Sequence, residues 1–241
     1  GRVLNSLEEQ GVADNTLVIF ASDNGCAHYV GAFEDGRGGF ESAMEPQGHF
    51  PSGPCRGYKS DVWDGGHRIP CIARWPGVIE PGSACDQLAC LSDLMATCAE
   101  IIGDTLPDSA GEDSVSMLPL FRDPSTTIRD HVVHHSISGK FAIRKGHWKL
   151  ILSRDAGGGW ALPGQSAKTP AKLVQLYNLK DDLGETKNLE QTHPQVITDL
   201  VNELAHALHD GRTTPGKKQT NDGWPYRDGP TLAKFPQLKE K

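Results

Sequence analysis

The chain has 241 residues, 37% hydrophobic and 23% charged, enough to bury a core in one large domain or in one domain with a smaller companion. Acidic residues outnumber basic ones by 31 to 24, giving a net charge of −7, and the lysines and arginines are scattered; this argues against a nucleic-acid binder, which would present a basic face. No apolar run reaches the ~20 residues needed to cross a bilayer.

Residues 1–11 have the spacing of an amphipathic helix closed by Gly11. A helix that opens the chain with no initiator Met and no signal segment before it suggests a piece of a longer polypeptide, or a mature end after processing. Leu17 to Phe20 then reads as a buried strand, stopped by Ser22, Asp23, Asn24 and Gly25. Ligands of open α/β sheets bind outside the carboxyl ends of strands, and adjacent carboxylate and carboxamide oxygens suit a hard cation such as calcium. Asp-Asn-Gly is also ordinary turn chemistry. Residues 25–54 show no period; a loop of this length is usually functional or disordered, and His28 and His49 lie in it.

Residues 54–70 set Lys59 in a turn flanked by Gly57, Gly65 and Gly66, just before a strand at Arg68–Trp75. The glycines permit close backbone approach to a ligand, and a lysine held there is a point charge for an anionic oxygen; alone, it also fits a solvated surface lysine. Within residues 86–102, Leu88, Leu91, Leu94, Met95, Cys98 and Ile102 fall on one helical stripe, closed by Gly103 and expected in the core. The six cysteines form no Cys-x-x-Cys pair, which argues against structural zinc; Cys90 and Cys98 are expected as buried apolar side chains.

A second unit follows Leu118. His131–His135, Lys140–Leu152 and Lys172–Leu179 read as strands, and Pro194–Leu208 as an amphipathic helix with Val196, Leu200, Leu204 and Leu208 on one stripe. Three strands and a helix predict a small α+β layer. From Gly211 onward the composition is polar with Gly and Pro, expected as an extended tail. The expected partition is 1–117, 118–210 and 211–241, without internal repeats.

Taken together, Ser22-Asp23-Asn24-Gly25 after a strand and Arg56-Gly57-Tyr58-Lys59 through Trp63-Asp64-Gly65-Gly66-His67-Arg68-Ile69-Pro70 resemble the formylglycine-dependent (type I) sulfatases, arylsulfatase-like members of the alkaline phosphatase superfamily. Phe141–Leu150, Leu176–Leu179 and Glu185–Leu189 are similar to that family's C-terminal subdomain, so the resemblance covers roughly residues 1–210. It implies an α/β fold: a mixed sheet sandwiched by helices, here in part, with a smaller C-terminal antiparallel sheet plus helix. It also implies a sulfate ester, aryl or carbohydrate, as substrate, Asp23 and Asn24 as calcium ligands, and Lys59 as the catalytic lysine on the sulfate group. His49 and His135 are candidates for sugar or aryl contacts. Relatives are mostly periplasmic, secreted or lysosomal, so a periplasmic or secreted location is expected.

One departure matters. The family's nucleophile is a formylglycine made from (Cys/Ser)-x-Pro-x-Arg near the start of the enzyme. Here only Ser52-Gly53-Pro54-Cys55-Arg56 fits the bare pattern. It abuts the lysine segment and lacks the Leu-Thr-Gly that should follow, so it is rejected. The chain is therefore expected to be the C-terminal half, inactive alone: two ligands do not satisfy a calcium ion that wants about 6–8 oxygens. Rival readings are a phosphodiesterase or phosphonate hydrolase of the same superfamily, and a non-catalytic module that binds sulfated glycans. The acidic charge argues mildly against the last.

Overall fold

The computed structural model describes residues 1–27, 48–158, 172–223 and 229–240. In chain order its elements are α1 (Arg2–Glu9), β1 (Val18–Ala21), α2 (Asp64–His67), β2 (Cys71–Arg74), α3 (Asp93–Ile101), α4 (Leu118–Arg122), β3 (His131–His135), β4 (Phe141–Lys145), β5 (Trp148–Ile151), β6 (Gln175–Asn178), α5 (Pro194–Asp210) and α6 (Gly229–Lys234). They form two compact units: Gly1–Asp23 with Ile69–Asp130, and Asn24–Arg68 with His131–Lys241. The segment carrying Lys59, expected with residues 1–117, thus groups with the C-terminal sheet.

In the first unit β1 and β2 pair antiparallel, with Phe20 opposite Ile72. Both of these side chains are largely exposed, at 65% and 63%. The stripe expected to be core on α3 is not: the helix begins only at Asp93, Met95, Cys98 and Ile102 are exposed, and the residues it buries are Asp93 and Thr97. The reason is polar. Asp93 pairs with Arg129 and accepts from the backbone N–H groups of Cys90 and Val115, while Thr97 Oγ1 accepts from Met117 N–H at 2.9 Å. A buried carboxylate satisfied by several donors fixes which helical face turns inward. All six cysteines are free thiols.

In the second unit β3–β4–β5–β6 form one antiparallel sheet in sequence order. The sequence reading had three strands, because Phe141, Ile143, Trp148, Leu150 and Leu152 alternate as if continuous. Gly146, at φ +55°, instead folds the segment into a two-residue hairpin that pairs Ile143 with Leu150. Glycine leading such a loop is what a hairpin matched to strand twist requires. Leu176 follows Leu150 in register. These three side chains, with Leu152 and Val174, pack against Ile197, Leu200, Val201, Leu204 and Leu208 of α5. The i, i+3, i+4, i+7 spacing puts those residues on one helical stripe, and each fully buried aliphatic side chain contributes about 1.5–3 kcal/mol. The expected tail is not simply extended: α6 and a 3-10 turn at Pro236–Leu238 return to this core, where Leu238 is fully buried. Leu232 and Phe235 of the same segment pack beside it.

Candidate functional site

The Lys59 segment is built on the opposite face of the same sheet, where Val62 and Trp63 pack with Ala142, Ile151, Tyr177 and Leu179. Trp63 Nε1 donates to Gln175 Oε1 at 3.2 Å, which also accepts from Tyr177 Oη at 2.8 Å. The Arg56 guanidinium lies 3.7 Å from the centre of the Trp63 ring, a cation–π contact. These contacts fix both ends of a tight turn over Tyr58–Asp61.

That turn is closed by Asp61 N–H donating to Tyr58 O at 3.0 Å and by Tyr58 N–H donating to Asp61 Oδ2 at 3.0 Å. Ser60, its third residue, has φ +80°. A type II turn demands positive φ there, a place normally given to glycine, and a side chain held in it marks strain retained by the surroundings. Lys59 occupies the second position, half-buried, and its ammonium makes no ion pair with any described residue. Its backbone N–H donates to Cys26 O at 2.8 Å, and Ser60 O accepts from Ile137 N–H at 3.0 Å.

Asp61 is 6% exposed, and its Oδ1 takes no hydrogen bond among the described residues. Burial raises its carboxyl to about 7; nearby Asp155 adds to this and Arg56 opposes it.

Three glycines join the turn to the strand-end segment. Gly25 N–H donates to Gly66 O at 2.9 Å and Gly65 N–H to Arg56 O at 2.7 Å. A Cβ on Gly65 would overlap Gly57 O, one on Gly66 would overlap Asp61 O, and one on Gly25 would overlap Gly65 O. Bare backbone is therefore a packing requirement in this segment.

Of the residues singled out from sequence, Asn24 and Lys59 share this framework: Gly25 and Cys26, which follow Asn24, bond to Gly66 and Lys59. Asp23 is exposed at the end of the first unit. Asn24 Nδ2 donates to Gly25 O at 3.0 Å. His49 is exposed. His135 is exposed at the end of β3, its Nδ1 2.7 Å from Ser136 O and its ring 5.6 Å from Phe141. His28 lies outside the described residues. Among the described residues no group of three or more His, Cys, Asp or Glu side chains is placed to hold a metal ion.

Sequence reasoning missed an ionic cluster beneath the turn. Lys149, on β5, is fully buried; its Nζ lies 2.9 Å from Asp64 Oδ1 and 2.9 Å from Glu185 Oε1. Glu185 Oε2 accepts Asp64 N–H at 2.7 Å, and Asp64 Oδ2 accepts from Arg68 Nε at 3.0 Å and Nη2 at 2.7 Å. Burial alone would raise the Asp64 carboxyl, but Lys149 and Arg68 outweigh it and hold that group well below the usual carboxylate range. Burial raises Glu185, with the Lys149 ammonium opposing and Asp64 adding. One signal was available: Lys149 stands in a strand between Trp148 and Leu150, where an unpaired lysine is not tolerated.

The fold is that of an alkaline phosphatase-like α/β protein, and residues 1–103 match the sulfatase family model. The chain belongs to the sulfatase family. It is 34% identical over 208 residues to an N-acetylgalactosamine-6-O-sulfatase of Bacteroides thetaiotaomicron, covering 83% of this chain and 38% of that protein. It is 29% identical over 241 residues to a steryl-sulfatase of Mus musculus, covering 91% of this chain and 36% of the relative. A solved structure from the glycosaminoglycan-metabolism locus of B. thetaiotaomicron superposes with a TM-score of 0.69 at 32% identity, covering 85% of this chain and 41% of that one. The PsFucS1 sulfatase of Pseudoalteromonas sp., 22% identical with a TM-score of 0.65, shares the fold over 98% of this chain and 41% of its own. The chain thus spans about two fifths of the length of the relatives it matches. No helix among the described residues is long and apolar enough to cross a membrane.

Proposed function

We propose that this chain is the C-terminal portion of a sulfuric ester hydrolase and supplies the lysine that binds the substrate's sulfate group. The observation that carries the reading is the Lys59 turn: a cation on a strained, backbone-locked turn, beside the segment that follows Asp23 and Asn24. A rigid cation aimed at an oxyanion stabilises charge as the S–O bond breaks and loses nothing to reorganisation. Lys59 is the catalytic residue in this sense, and it binds the sulfate oxygens in the ground state as well.

Asp23 and Asn24 fit calcium by donor chemistry. Both offer hard oxygens, and Asn24 turns its amide nitrogen to Gly25 O. When bound, the ion would neutralise sulfate oxygens as a Lewis acid. The two residues furnish part of its shell, and the remaining ligands, with the formylglycine, belong to sequence outside this chain. His49 and His135 are assigned to contacts with the alcohol part of the ester, aryl or sugar. The extent of the relatives supports the fragment reading. A periplasmic or secreted setting goes with this reading.

The test has two arms. In the complete sulfatase, Lys59→Ala should reduce turnover of an aryl sulfate by about a hundredfold or more, the scale of losing one transition-state charge partner; unchanged kinetics would remove Lys59 from the site. The 241-residue chain by itself should not hydrolyse the same ester, since loss of a covalent nucleophile costs on the order of a million-fold. Turnover by the chain would overturn the fragment reading, and a preference for phosphodiesters in the complete enzyme would overturn the sulfatase one.

A further inference from the structure

Lys149 and Glu185 have no role in the reaction described above, yet they sit in the most expensive place available to charges. Both are 0% exposed, and with Asp64 and Arg68 they form a set of two cations and two anions. Hydrophobic residues of similar volume would commonly be as stable in such a place or more so, so the cluster asks for a reason other than stability.

Its connections supply one. Asp64 is held twice from the sheet side, by Lys149 at its side chain and by Glu185 at its backbone N–H. Asp64 opens α2, and the next two residues, Gly65 and Gly66, are those against which the Lys59 turn and Gly25 are packed without a Cβ to spare. Glu185 also reaches the other end of the segment, its carbonyl accepting from Arg56 Nη1 at 3.2 Å. Moving Asp64 would move Gly65 and Gly66, and with them the amide partners of Arg56 and Gly25.

We propose that Lys149 and Glu185 are positioning residues: their buried ion pair with Asp64 fixes where the Lys59 turn and the Asn24–Gly25 segment stand. An apolar replacement would fill the space but leave the direction of Asp64 unspecified. The geometric part of this inference stands alone; its consequence for sulfate binding rests on the reading of Lys59 given above.

The test is amide hydrogen exchange by NMR on the 241-residue chain, comparing Lys149→Met with the parent. The amides of Lys59, Gly65 and Gly25 each donate within the segment, while those of Leu152 and Leu189 donate to the sheet at Phe141 O and Leu176 O. Exchange at the first three should accelerate about tenfold or more relative to the last two, the mark of a local opening rather than a global one. Equal acceleration of all five, or none, would overturn the proposal. If Lys149→Met does not fold, Glu185→Gln keeps the acceptor for Asp64 N–H, removes the charge, and should give the same selectivity at smaller size. Titration with inorganic sulfate separates the two claims. A sulfate-dependent shift at Lys59 in the parent that weakens in the variants supports both; selective exchange without any sulfate response keeps the positioning role and removes the anion site.

Discussion

The two faces of the four-stranded sheet are built by different rules. Toward α5 the register row Ile143, Leu150 and Leu176 is aliphatic, and α5 answers with leucine, isoleucine and valine. Toward the Lys59 segment the neighbouring row is Arg144, Lys149 and Tyr177, answered by Trp63 and Asp64. The first face needs only shape and volume, which many sequences supply. The second needs particular partners at particular distances. The difference teaches that one sheet can serve stability on one side and geometry on the other.

Substitution should break the contrast most sharply at Lys149. Lys149→Met leaves two carboxylates buried with one cation fewer, a cost of about 3–5 kcal/mol that should be relieved first by opening of the Lys59 segment, so that the urea midpoint falls by less than the full amount. Leu204→Ala, on the aliphatic face, should cost about 2–5 kcal/mol by cavity formation, but without the selective exchange at Lys59, Gly65 and Gly25. Equal patterns from both would mean that the faces do not differ in kind.

Acid and base should separate them further. Asp61 has its carboxyl raised from 3.8 to about 7, so the folded state holds that proton more tightly than the unfolded chain. Its contribution is present in full below about pH 4 and fades as the pH rises through 7. The stability difference between the parent and Asp61→Asn should therefore shift in favour of the variant by about 1–4 kcal/mol between pH 4 and pH 8, read from urea midpoints. Asp64, held low, runs the other way: its contribution is present above about pH 4 and is lost on further acidification. A pH-independent difference for Asp61→Asn would show that its carboxyl is not raised. The smallest effect belongs to the half-buried Lys145–Glu203 pair at 2.8 Å, where Glu203→Gln should cost no more than about 1 kcal/mol and weaken in high salt.

Much of the aliphatic face was legible. The helix from Pro194 and the strand at His131–His135 stand where their periodicity put them, because 3.6- and 2-residue patterns are local properties. The hairpin was not, since a two-residue loop preserves the parity of the alternation and hides the break at Gly146. The α3 stripe misled for the opposite reason: apolar spacing says which face could be buried, but Asp93 and its donors decide which one is. In the candidate site, Asp23, Asn24 and Lys59 were singled out through their motifs. Lys149, Asp64 and Glu185 were not found as a set, because pairs separated by 85 and 121 residues leave no local period. Lys149 stood out only as a lysine among strand residues.

Phe20 and Ile72 stand side by side on a ribbon that has two strands among the described residues. Ribbons that narrow seldom persist in water unless something covers one side. Purified by itself, this polypeptide will carry its own adhesive: as it is concentrated, molecules will meet through that bare pair, and a lysine at either position will keep the solution clear for longer.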